Sequence, residues 1–126
     1  MSPESIDYIG TAERILAEAE VFIEEGHNEV AAREAYLAAL SAARAIIFEK
    51  TGDAPKTHSG TRAMLAKLIH DGLALDGKLL KFLADGFEQK VDADYGPRTP
   101  LGDSDAERIL ETARAFVTAA RRLLGN

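Results

Sequence analysis

The sequence REAYLAALSAARAIIFEK, from Arg33 to Lys50, decides the fold of this chain. Its inner part, Ala35 to Ala43, carries no charge, and alanine, leucine and isoleucine cover nearly every side of the projected helix. A helix that is apolar all round is buried by neighbours on several sides. We therefore expect a central helix, against which the rest of the chain packs.

Apolar residues at helical spacing predict helices on both sides of this stretch. The first helix begins near Ser2 and Pro3, although Gly10 and Thr11 could equally mark a break in it. It carries one apolar stripe and ends at Gly26, and Gly26, His27 and Asn28 should form C-cap, turn and N-cap. The central helix should run from about Glu29 to Lys50, because Gly52 and Pro55 stop it. The stripe consists of Ile9, Ala12, Leu16, Ala19 and Ile23.

Three further helices are predicted after the central one. A short third helix, capped by Thr57 or Ser59, should close at Gly72. A fourth should run from Asp76 to about Val91, although Gly86 inside it costs about 1 kcal/mol relative to alanine. Two prolines and two glycines predict a loop over residues 92–105. The last helix should begin at Asp103 or Ser104 and carries the clearest apolar repeat.

No segment alternates apolar and polar residues in the manner of a strand. The sequence therefore predicts an all-α fold in one domain spanning residues 1–126, with four longer helices in an up-and-down bundle and one short helix.

Composition excludes several classes of protein. The net charge of −6 and the pI near 5.0 argue against gripping nucleic acid by bulk electrostatics. The charge is uneven, however. Residues 44–90 hold eight Lys or Arg against six Asp or Glu, a net of +2, whereas the flanks sum to −8, so the middle helices could carry a weak basic face.

The chain has no cysteine, which excludes disulfides and thiolate metal sites. Its apolar runs fall short of the ~20 residues of a membrane span, and the N-terminus lacks the pattern of a signal peptide, so we expect a soluble cytoplasmic protein. His27, His58 and His70 have no partner at metal-ligand spacing. We therefore expect no metal and no cofactor.

Five residues are candidate ligand-binding groups. Tyr36 and Arg44 lie on the central helix, where their polar tips need a partner or a route to water. For Arg44, a structural hydrogen bond to a carboxylate is the alternative to facing a ligand. Lys56, His58 and Ser59 lie at a helix N-terminus that suits a phosphate. Capping of that helix explains the serine equally well.

Three motifs in order carry a resemblance to a known family. They are AAREAYLAALSAARA, residues 31–45, then PKTHSG, residues 55–60, then ADYG, residues 93–96. In this combination the chain resembles the HEPN superfamily, and within it the small stand-alone proteins of bacteria and archaea associated with toxin–antitoxin pairs. The resemblance implies a helical bundle that forms a homodimer, encoded beside a nucleotidyltransferase partner.

The resemblance also implies metal-independent endoribonuclease chemistry in many relatives, through an arginine followed closely by a histidine near the end of a late helix. Here those positions fall on Lys90 and Tyr95. Lysine lacks the bidentate fork of arginine, and tyrosine is a poor general base near neutral pH. Lys90, Asp94 and Tyr95 are thus the positions of a degenerate catalytic motif.

Two functions remain in competition. The first is an RNA-, nucleotide- or partner-binding protein with this degenerate motif. The second is an active endoribonuclease in which Arg44, His58, Asp94 and Tyr95 converge at a dimer groove. Modification of Tyr95 by a partner nucleotidyltransferase is a further, non-catalytic role.

Overall fold

Five α-helices make up the part of the chain that the computed structural model describes, which is the backbone of residues 1–95 and 101–125 and the side chains of residues 1–86 and 101–125. Those ranges contain no strand, and the predicted all-α class is confirmed. The helices are α1 (Pro3–Glu24), α2 (Asn28–Thr51), α3 (His58–His70), α4 (Gly77–Tyr95) and α5 (Asp103–Leu123).

The central position predicted for α2 is confirmed, because all four other helices contact it. Its alanines let the neighbouring backbones come close, and those at positions 35, 38, 39, 42, 43 and 45 are completely buried. Together with Leu40, Ile46 and Ile47 they form the centre of one hydrophobic core.

Helix α1 packs antiparallel to α2. Ser5 Oγ near its start donates to the carbonyl of Ala45 near the end of α2, across 3.4 Å, and Ser41 Oγ donates to the carbonyl of Tyr8 across 2.8 Å. The predicted stripe faces the core, with Ile9, Ala12, Leu16 and Ala19 buried and Ile23 half-buried. Gly10 does not interrupt the helix.

Helix α5 lies against both α1 and α2. Arg114 and Arg121 form ion pairs with Glu20 and Glu13 of α1, each at 2.7 Å, so α1 and α5 run antiparallel. The expected N-cap role of Asn28 is wrong. His27 occupies that position without a side-chain hydrogen bond, and Asn28 instead bonds the start of α5.

Helices α3 and α4 cover the side of α2 away from α1, and among the described residues neither contacts α1. The loop predicted from residue 92 begins too early, because α4 continues to Tyr95. The first helix-breaking pair is Gly96-Pro97, and nothing before it forbids helix. The N-cap of α5 is Gly102 rather than Asp103 or Ser104. In the described ranges, none of the helices combines the length and apolarity that a membrane span requires.

Candidate functional site

The connection between α2 and α3 is held by an arginine of the central helix. Gly52 ends α2 with a left-handed φ of 82°, and its N–H donates to the carbonyl of Phe48. Arg44 lies two turns before the end of α2. Its Nε donates to the carbonyl of Pro55 across 3.2 Å, and its Nη2 donates to the carbonyl of Lys56 across 3.3 Å. These partners are backbone carbonyls and not the carboxylate that the sequence analysis considered. The guanidinium is thereby fixed beside the start of α3.

The start of α3 is capped by Thr57, one of the two predicted candidates. Its Oγ1 accepts a hydrogen bond from the N–H of Gly60 across 2.9 Å, which satisfies one of the exposed donors of the first turn. Ser59 is exposed on that turn, and Lys56 is exposed immediately before the cap. A side chain at Gly60 would lie 2.7 Å from the Thr57 hydroxyl, so this tight start requires glycine.

Tyr36 of α2 is the buried group around which the cluster assembles. Its side chain is 1% exposed, and its ring meets the ring of His58 edge-on with centroids 5.7 Å apart. Burial raises the pKa of the Tyr36 hydroxyl above its ordinary value, and a hydrogen-bonding interaction with Arg62 together with the charges of Arg62 and Arg44 acts in the opposite direction. His58, Arg62 and Arg44 thus approach one buried phenol.

The Tyr36 ring also packs closely against α4 at Gly86. A Cβ atom built on Gly86 would lie 2.6 Å from Cδ2 and 3.3 Å from Cγ of Tyr36. Real side chains do not tolerate such a distance, so only glycine permits this approach. The glycine that weakens α4 as an isolated helix is the residue that lets it pack.

The structure brings together the five predicted ligand-binding residues at this end of the molecule. Tyr36, Arg44 and His58 form the inner part of the cluster, and Lys56 and Ser59 lie on its exposed rim. The predicted catalytic residues are Lys90, Asp94 and Tyr95. Their backbone belongs to α4, and their side chains lie outside the described residues.

Arg62 is the member of the cluster that the sequence analysis did not select. The signal was present in its spacing, because His58 and Arg62 are four residues apart and share one face of α3. What the spacing could not show is that this face is turned toward Tyr36.

The local charge at this end is positive. Helix α3 contains no Asp or Glu, and its first two turns carry His58 and Arg62 close to Arg44 and Lys56. The N-terminal end of a helix adds partial positive charge from its unpaired N–H groups. An anion such as a phosphate group is the ligand that this combination attracts. Among the described side chains, no group of three His, Asp or Glu could hold a metal ion.

Comparison with known proteins identifies the family. The model of the HEPN domain matches residues 6–123, which includes all five helices in whole or in large part. No curated protein is similar enough to the chain to count as a match. A family match over this share of the sequence is decisive, and the chain belongs to the HEPN domain family.

Proposed function

We propose that this HEPN protein binds RNA through its phosphate groups, at the cationic surface around the α2–α3 connection, without efficient cleavage. The family has nuclease and nucleotide-binding roles, and both require a surface that receives phosphate. The observation that carries the proposal is the assembly of Arg44, His58 and Arg62 around Tyr36, with Lys56 exposed at its edge.

Charge distribution supports this location over the rest of the molecule. Helix α1 has six acids and one arginine, a net of −5, and would repel a polyanion. Helix α3 has two cations and no acid, a net of +2. An acidic protein can therefore still bind RNA at one end, with an affinity that falls as salt rises.

The residues at the position of the family's catalytic motif support binding over cleavage. Lys90 supplies a point charge in place of the arginine fork, and Tyr95 replaces the base. The competing set of Arg44, His58, Asp94 and Tyr95 loses support at Arg44, because Nε and Nη2 of its guanidinium donate to backbone carbonyls of the loop. A guanidinium held by these two hydrogen bonds can still attract an anion through its charge, but it is less free to move onto a reacting phosphate.

The binding test uses a fluorescently labelled single-stranded RNA and measures the dissociation constant by anisotropy over a range of salt concentrations. Lys56→Ala should weaken binding and make the slope of log K against log salt less negative by about 0.7, the value for one phosphate contact on a single strand. Arg14→Gln is the matched control, since it removes one cation from α1 and should change neither quantity. Equal effects of both substitutions would show that only net charge matters and would refute this site.

Cleavage is tested separately with structured and unstructured RNA in the absence of metal. We expect intact RNA. Rapid cleavage that is abolished by Lys90→Ala or by Tyr95→Phe would establish the endoribonuclease in place of the binding protein.

We further propose, from the family resemblance, that the protein is a homodimer and a component of a toxin–antitoxin or nucleotidyltransferase-linked system. Half-buried apolar side chains on α3 and α4, among them Leu68, Leu79, Leu80 and Phe82, are compatible with a partner on that side. Light scattering at micromolar concentration should give twice the mass of the chain, and a monomer mass would contradict the dimer. Mass spectrometry after co-expression with an adjacent nucleotidyltransferase tests for a nucleotide on Tyr95.

A further inference from the structure

Tyr36 has the chemistry of a ligand-binding residue but not the position of one. With 1% of its side chain exposed, it is closed off from any ligand as large as a nucleotide. It is nevertheless in contact with groups from two other helices at once. These are His58 and Arg62 at the start of α3, and Gly86 in the middle of α4.

The contacts of Tyr36 with α4 and with α3 differ in kind. Against α4 the contact is steric, because the absence of a side chain at Gly86 is what gives the ring its place. Against α3 the ring meets His58 edge-on, and Arg62 lies close enough to the hydroxyl to lower its pKa. A shift of α4 relative to α2 would therefore move the ring, and the ring would move the side chains of His58 and Arg62.

We infer that Tyr36 is a positioning residue whose buried ring, backed by Gly86, sets the placement of His58 and Arg62 on the binding surface. The expected effect on RNA affinity rests on the proposed function, whereas the placement of His58 and Arg62 by Tyr36 does not depend on it. Arg62 carries several donors in a rigid fork, and a fork recognises a phosphate only when it is correctly oriented. The packing of Tyr36 beside Arg62 limits the orientations that the guanidinium can take.

The test uses two substitutions that disturb Tyr36 in different ways. Tyr36→Phe keeps the ring and removes the hydroxyl that Arg62 approaches. Gly86→Ala keeps the hydroxyl and displaces the ring, because a methyl group would lie within 2.6 Å of it. The controls are Tyr8→Phe in α1 and Gly77→Ala in the first turn of α4, where a Cβ meets nothing within 4 Å. Thermal melts identify the temperature at which all variants are folded.

The first readout is the affinity for the labelled RNA, in the wild-type chain and in an Arg62→Gln background. We expect Tyr36→Phe and Gly86→Ala each to raise the dissociation constant for the labelled RNA by about three- to tenfold. In the Arg62→Gln background the same substitutions should weaken binding by a smaller factor, since one of the two groups that they misplace is gone. Equal losses in both backgrounds, or no loss in either, would overturn the positioning role.

The second readout does not depend on RNA. In NMR spectra the Nε–Hε resonance of Arg62 and the ring resonances of His58 should shift in Tyr36→Phe and in Gly86→Ala, and stay in place in the two controls. If the wild-type protein binds no RNA while these resonances shift as expected, the proposed function fails and the positioning role stands. Unchanged resonances in Tyr36→Phe would refute the positioning role whatever the RNA result.

Discussion

The side-chain amide of Asn28 donates a hydrogen bond to Oδ1 of Asp103 across 2.8 Å, and so joins the first residue of α2 to the first residue of α5. The same nitrogen donates to the carbonyl of Leu101 across 3.1 Å, and Glu29 accepts from the N–H of Leu101 across 3.0 Å. Two adjacent residues of α2 therefore fix the point at which the chain enters α5.

Removing this amide should destabilise the fold. We expect Asn28→Ala to lower the free energy of unfolding by about 1–2 kcal/mol, because two hydrogen bonds are lost and one acceptor is charged. Urea denaturation measures the change. In a double-mutant cycle the cost of Asn28→Ala should be smaller when Asp103 is already alanine. Asp105→Ala is the control, because its partner Arg108 lies on the same helix. A cost of Asn28→Ala that is independent of Asp103 would contradict the proposed link.

The cap of α3 can be assigned by mutation. Thr57→Ala should lower the free energy of unfolding by about 1 kcal/mol, since the N–H of Gly60 loses its acceptor. Ser59→Ala should change it by no more than about 0.5 kcal/mol, as expected of an exposed position away from such features. The free energies come from denaturant titration of the two variants side by side. The reverse order of the two effects would mean that the cap is Ser59.

Burial of Tyr36 predicts a loss of stability at high pH. The pKa of its hydroxyl is raised in the folded chain from the ordinary value of 10.0, chiefly by burial. Below that value both folded and unfolded chains hold the proton, and the contribution to stability is complete. As pH rises toward the folded-state pKa, the unfolded chain releases its proton first, so the free energy of unfolding falls.

Comparison with phenylalanine isolates this contribution. Tyr36→Phe should lose less stability than wild type as pH rises from about 9 to about 11, because the substituted side chain does not titrate. The measurement is a series of denaturant titrations at increasing pH. Tyr8→Phe shows the effect of removing a half-buried phenol of α1. Parallel pH profiles for wild type and Tyr36→Phe would contradict the assignment.

The alanines of α2 should resist enlargement. Ala42 is completely buried in the central helix, and Ala42→Leu should lower the free energy of unfolding by about 1–3 kcal/mol because neighbouring backbones must move apart. Ala17→Leu, at an exposed position of α1, should be within about 0.5 kcal/mol of wild type. Thermal and denaturant unfolding of both variants gives the comparison. Equal tolerance at the two positions would show that α2 is less tightly packed than the structure indicates.

Periodicity predicted most of the helical architecture, and its errors lie at helix ends. Apolar spacing places α1, α2 and α5 within a few residues of their observed limits, because burial of an apolar stripe is a local property of sequence. The end of α4 was wrong by four residues. Asp92 and Asp94 are weak helix formers, but a helix that has already formed can include them, and α4 continues through them to Tyr95.

In the candidate site, too, the sequence predicted some residues, and only the structure revealed others. From the sequence alone, the α2–α3 connection was predicted as a candidate site by the residue types at Arg44, His58 and Ser59 and by the expected helix start after Pro55. From the sequence, Gly86 was only a local cost to its helix, and Arg62 was not among the candidate residues. Both matter because they lie close to Tyr36 in the fold, although Gly86 is 50 positions and Arg62 is 26 positions away from it in the sequence.

By itself, the sequence determined the all-α class, the central place of the segment from Arg33 to Lys50 and the family, because these depend on composition and on spacing within single helices. The tertiary structure alone decided that Arg44 holds a loop, that Asn28 anchors α5 and that Tyr36 lies buried between Gly86 and the cations of α3. The physical reason is the separation along the sequence over which each kind of interaction acts. Helix formation is set by neighbours within a few residues, whereas a side chain's function is set by the partners that packing brings to it from elsewhere in the chain.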